Sequence, residues 1–165
     1  MFERLKNLAD SLNNLDLNKV IDEVLIDLVP NILDLNRQQL IDGETSTGEM
    51  IRPKYTEDPY FKSRGQALGY ARWKHKEENE GRIPKSDSKY FTAPNLYING
   101  YFHSLIEAEI NETQITIDAH GFGEGFDNKY KNIYGLQPDN LDKIKNKLKD
   151  NAPKIQNKLR SKIKI

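Results

Sequence analysis

The chain has 165 residues, enough for one domain that buries roughly 68–70% of its unfolded surface. It holds no cysteine, which excludes disulfides and thiolate metal sites, and no apolar run near eighteen residues, which excludes a membrane-spanning helix. The net charge of zero hides an uneven layout: residues 90–128 carry six acids and no Lys or Arg, whereas 129–165 carry eleven Lys or Arg against three acids. Such polarity suits head-to-tail contact between copies or contact with a charged partner, and it equally fits two solvated surfaces.

The N-terminus carries acids and no continuous apolar segment, which argues against a secretory signal. Phe2, Leu5, Leu8, Leu12 and Leu15 recur at helical spacing, as do Leu17, Val20, Val24 and Leu28. The rhythm breaks between Leu15 and Leu17, so two helices are expected to meet near 14–18. Pro30 is expected to bend or end the second, because it lacks a backbone donor. Leu33, Leu35, Leu40 and Ile41 continue the apolar face to a stop at Asp42-Gly43.

Residues 43–55 read as a turn and short strand. Asp58-Pro59 is expected to open the next helix, with Tyr60, Phe61, Ala67, Leu68, Ala71 and Trp73 on it. Residues 74–89 are almost wholly polar and read as an exposed loop. Pro94-Asn95 marks the start of a helix through Leu105. Two alternating runs follow, Ile106 to Ile110 and Gln114 to Ala119, with Glu107 and Glu109 on the outer side. A glycine-rich loop at 121–125 leads to Phe126, Tyr130, Ile133 and Tyr134. Pro138 to Leu148 predicts a last helix, interrupted by Pro153 and followed by a lysine-rich segment.

The pattern implies an α+β fold: N-terminal helices, and a small antiparallel sheet with a hairpin at about 106–119, packed against central and C-terminal helices. The expected organisation is a helical arm at 1–30, a core at 31–150 and a basic tail at 151–165.

Candidate chemistry is sparse. The glycines at 121, 123 and 125 lack the spacing and the Lys-Ser/Thr of a phosphate loop, and Glu124 and Asp127 sit where an anion would bind. His75, His103 and His120 show no metal-ligand spacing; a site would need Asp118 and Glu124 to converge with His120. Ser104 beside His103 is adjacency, since helix neighbours diverge by about 100°. An enzyme would require His103, His120, Asp118 and Glu124 to share one pocket. Neither cofactor nor metal is expected. Lys143, Lys145, Lys147 and Lys149 head the strongest electrostatic feature, which would meet DNA phosphate or acidic protein, or simply face solvent.

Asn99-Gly100-Tyr101-Phe102-His103-Ser104-Leu105, ahead of two strands, a loop and an aromatic-glycine segment, resembles the neck and tail-completion proteins of tailed bacteriophages, also called virion morphogenesis proteins. Those proteins carry a Thr-Gly-x-apolar-x-x-Ser-apolar element there; Asn99 stands where Thr is usual. Leu33-Asp34-Leu35-Asn36 to Leu40, Thr47-Gly48 and Pro53-x-Tyr55 look like phage proteins of Bacteroidota hosts. The resemblance covers about 33–150. It implies a non-enzymatic part of the virion neck or tail, in the host cytoplasm during assembly. Such a part would form a homo-oligomeric ring beside portal, adaptor or tail-tube proteins, with no membrane and with DNA as an optional neighbour in a channel. Ring contacts would set Glu107 and Glu109 against Lys143, Lys145, Lys147 and Lys149. The alternative is a small basic-tailed DNA-binding or regulatory protein of a mobile element.

Overall fold

The computed structural model describes residues 17–88, 90–111, 114–121 and 124–162. It is an α+β fold of helices α1 (Leu17–Ile41), α2 (Arg64–Asn79), α3 (Tyr101–Ser104), α4 (Glu124–Lys129) and α5 (Pro138–Lys162), with strands β1 (Ile106–Asn111) and β2 (Gln114–Ala119) between α3 and α4. The strands form the expected antiparallel hairpin, in a register that sets Ile106 opposite Ala119 and Glu107 opposite Asp118. Ile106 and Ala119 are buried while Glu107 and Glu109 face out, as period-two alternation requires.

Helix α1 is the spine. Val24, Leu28, Ile32, Asn36 and Leu40 recur every four residues and all are buried. Leu28 and Ile32 meet Ile144 of α5, with Ile115 and Ile117 of β2 packed alongside. Leu40 joins a second cluster with Ile51, Phe102, Ile106, Ala119 and Ile133. A third, smaller cluster holds Tyr55, Ala67 and Ala71.

Five expectations need correction. Pro30 does not end the helix, which continues for eleven residues to Ile41. The proline is exposed, and the carbonyl it leaves without a donor belongs to Ile26, itself 58% exposed, where water can bond it. Pro153 likewise lies inside α5 rather than interrupting it. Helix α2 starts five residues later than Asp58-Pro59 suggests, with Ser63 accepting from Gln66 N at the cap. Asp58 is otherwise engaged: its carboxylate accepts from Tyr60 N and pairs with Lys129 at 2.6 Å. The polar stretch at 74–89 is not all loop, since 74–79 complete α2 and Lys74 is buried. The helix expected from Pro94-Asn95 shrinks to Tyr101–Ser104, because Leu96 and Gly100 take left-handed φ values of 48° and 82°. Asn99 Oδ1 then accepts from Tyr101 N at the start of that turn.

The stop at Gly43 is as expected, and for two reasons. Its φ is 74°, and an added Cβ would lie 2.8 Å from Ala93 Cβ. Residues 43–55 carry one isolated bridge, Glu44 to Met50, where a short strand was expected. The expected helix junction at 14–18 lies largely outside the described residues, although Leu17 and Asn18 are already helical.

Buried polar side chains on α1 hold the irregular chain that leads into α5. Asn36 Nδ2 donates to the carbonyls of Ile133 (3.2 Å) and Gly135 (2.7 Å). Gln39 Nε2 donates to the Gly135 carbonyl (3.1 Å), and its Oε1 accepts from Gln137 N (2.8 Å). Replacing Asn36 by Ala strands the Ile133 carbonyl, leaves the Gly135 carbonyl with Gln39 alone, and opens space at a fully buried position. Urea unfolding should show a loss of about 3 kcal/mol; a loss below about 1 kcal/mol would mean that these bonds are not a principal anchor.

Candidate functional site

The residues singled out by charge sit on two exposed surfaces. Glu107 and Glu109 project from the outer face of the hairpin. The register places Glu107 directly across from Asp118, a like-charge pair that is locally unfavourable. His120 lies 3.5 Å from Asp118 and 3.7 Å from Glu109, so its ring bridges the two only when protonated. His103 does not join them. Its ring packs against Tyr97 and Phe102, with centroids 5.2 and 5.6 Å away.

The lysines of α5 do not share one face. Residues two apart on a helix diverge by about 200°. Lys143 and Lys147 therefore flank one side of the Ile144–Leu148 stripe, and Lys145 and Lys149 the other. Lys143 bonds Asn140 at 2.9 Å and Lys145 pairs with Asp142 at 2.8 Å, while Lys147 reaches Asn31 on α1. All four stay exposed. Between α1, β2 and α5 runs an open apolar groove of about 530 Å³, lined by Leu25, Ile115, Ile117, Leu136, Leu141 and Leu148 among others.

A second site has no counterpart in the sequence reading. A cleft of about 360 Å³ opens between α2, the 94–101 segment and α4. Tyr70, Tyr97, Tyr101, Phe102, Phe126 and Tyr130 wall it, and Lys74 is the one charged lining residue among those described. The Lys74 ammonium donates to Asn95 Oδ1 at 2.5 Å and to the Tyr97 carbonyl. Asn95 Nδ2 passes the chain on to Glu78 Oε1 at 3.2 Å. Burial pushes Lys74 down to about 8, with Glu78 opposing the shift. The same burial raises the phenols of Tyr70 and Tyr130. One sequence signal points here: Lys74 falls on the helical phase of Ala67 and Ala71, so an apolar stripe runs into a polar stretch.

His103 lies behind this wall, buried, with no hydrogen-bond partner for either ring nitrogen among the described residues. Burial pushes its imidazole from 6.5 down to about 4; the main chain at Asn95 opposes that, and the cations Arg37 and Lys74 add to it. The unfolded chain therefore binds a proton that the folded chain refuses between pH 6.5 and about 4. Stability should fall by about 3 kcal/mol more across that window in the native protein than in a His103→Leu variant. Parallel pH–stability curves from urea unfolding would contradict this.

Among the described residues no group of three or more His, Asp or Glu side chains is placed to hold a metal ion. No helix there is long and apolar enough to cross a membrane. No protein-family model, curated protein or solved structure matches the chain, so the reading of these surfaces rests on their geometry.

Proposed function

We propose that the chain is a structural component of a tailed-phage particle, of the neck or tail-completion type. In this reading it assembles with copies of itself into a ring at the head–tail junction or tail end, next to portal, adaptor or tail-tube proteins. The observation that carries the proposal is the uncompensated acidic face of the hairpin. Glu107 and Asp118 oppose each other across the ladder, and among the described residues His120 is the only basic side chain paired with that face. Such an arrangement loses stability in the monomer and regains it when cations from outside dock there. The chain's own cation-rich element is α5, whose lysines border the apolar groove. A neighbouring copy that laid α5 near the hairpin would bury apolar area and neutralise acids in one contact. Acid of one copy against base of the next permits a heterologous contact, which generates a ring where the rotation closes.

The split of the lysines across both sides of the α5 stripe weighs against a single phosphate track, and so against DNA binding as the main role. Lys143→Glu, Lys145→Glu and Lys147→Glu together should weaken self-association about tenfold at moderate salt, at roughly 0.5 kcal/mol per exposed contact. Sedimentation velocity across a concentration series measures it. Unchanged sedimentation, or a wild-type chain that stays monomeric at all concentrations, would overturn the assignment.

A further inference from the structure

We infer that the aromatic cleft is a binding site for a small, flat aromatic carboxylate. Its ring would lie among Tyr70, Tyr97, Tyr101 and Phe126, and its carboxylate would accept from Lys74 Nζ. This goes beyond the assembly role and does not depend on it.

The first support is size. About 360 Å³ lies within the range of small-molecule sites, and it suits one fused ring system better than a peptide segment. Wall chemistry is the second. Seven aromatic rings offer faces and edges for stacking, and Asn99 supplies one neutral polar group at the rim.

The third is the charge. Lys74 is 4% exposed, and its two bonds go to neutral oxygens on Asn95 and Tyr97. Its third N–H has no partner among the described residues. Glu78, the nearby acid, is turned to Asn95 Nδ2 instead. An ammonium held this way has paid for desolvation without a contacting counter-ion, and its depressed pKa has that cause. An anion entering the cleft would supply what Glu78 does not.

The site is also held in shape before any ligand arrives. Asn95 Oδ1 accepts from both Lys74 and Tyr97 N, and Asn95 N donates to the Tyr55 hydroxyl. Phe102, Phe126 and Tyr130 stack in series, with centroids 4.6 and 4.9 Å apart. At the mouth, Ile98 is 68% and Tyr101 59% exposed, apolar surface that a bound ring would cover.

The test uses the full chain, 15N-labelled, titrated with 2-naphthoate and with its neutral analogue 2-naphthylmethanol. The acid should bind with Kd on the order of 0.1–1 mM, shifting amides at 70–74 and 95–102, and the alcohol should bind about tenfold more weakly. Tyr101→Ala, a change at an exposed position, should weaken the acid about fivefold while leaving the rest of the spectrum in place. Lys74→Met should abolish the preference for the acid; its spectrum shows directly whether the 94–101 segment has kept its place. Equal binding of acid and alcohol by the native chain would overturn the proposal and favour a partner's apolar side chain as the occupant. Shifts scattered over the surface, or none up to several Kd, would overturn it as well.

Discussion

Helix α1 does more than bury an apolar stripe: its polar side chains terminate the hydrogen bonds of chain segments about a hundred residues away. Asn36 and Gln39 take up the main chain at 133–137. Arg37 donates to the carbonyls of His103 (3.0 Å) and Ile106 (2.9 Å), where α3 gives way to β1. Irregular backbone can be buried only if its donors and acceptors find partners, each orphan costing about 1–3 kcal/mol. Three side chains within about one turn of one helix meet that demand for the two segments that enter and leave the hairpin and α4. The hairpin needs such support, since two strands alone are marginal in water.

The same constraint explains how a chain with only 36% hydrophobic residues holds long stretches without regular structure. Several irregular segments are tied by a polar side chain on a helix. Lys129 at the end of α4 fixes the turn at Asp58. Lys74 on α2 fixes Asn95 and Tyr97. Gly43 lets the residues after α1 come within contact of Ala93. The fold therefore combines three modest apolar clusters, the first two meeting at Ile117, with directed polar bonds.

That construction decides what the sequence made legible. The hairpin could be read to within a residue, Asn111 extending β1 past the expected Ile110, because Ile106, Ala108 and Ile110 alternate with Glu107 and Glu109 and nothing distant interferes. The α1 stripe and its stop at Gly43 were equally plain. The prolines misled, since their cost depends on whether the freed carbonyl meets water, and exposure of Ile26 is a tertiary fact. The helix expected over 96–105 failed for a similar reason. Apolar spacing favours it locally, yet the ammonium of Lys74, twenty-odd residues away, holds Asn95 and Tyr97 in another geometry. The charged residues were visible as charges but not as a site: alternate lysines look like a ridge on paper and straddle a stripe on the helix. The aromatic cleft was invisible because its walls come from α2, the 94–101 segment and α4, with no local motif at any of them.

Magnitudes rank the two candidate surfaces differently from their prominence in the sequence. An exposed lysine on α5 costs almost nothing to keep, and a typical surface pair contributes about 0–1 kcal/mol, so even several such residues are weak evidence one by one. In the proposed assembly they gain weight from an acidic hairpin whose own cross-strand pair is unfavourable. Lys74 is a single residue, but sheltering an ammonium from water costs several kcal/mol unless something compensates. A Met of similar volume would hold the same space without that penalty, though not the Asn95 and Tyr97 oxygens. The polar role of Lys74 is thus at least structural, through those two oxygens. The aromatic volume beside its remaining donor is what a purely structural clamp would not require.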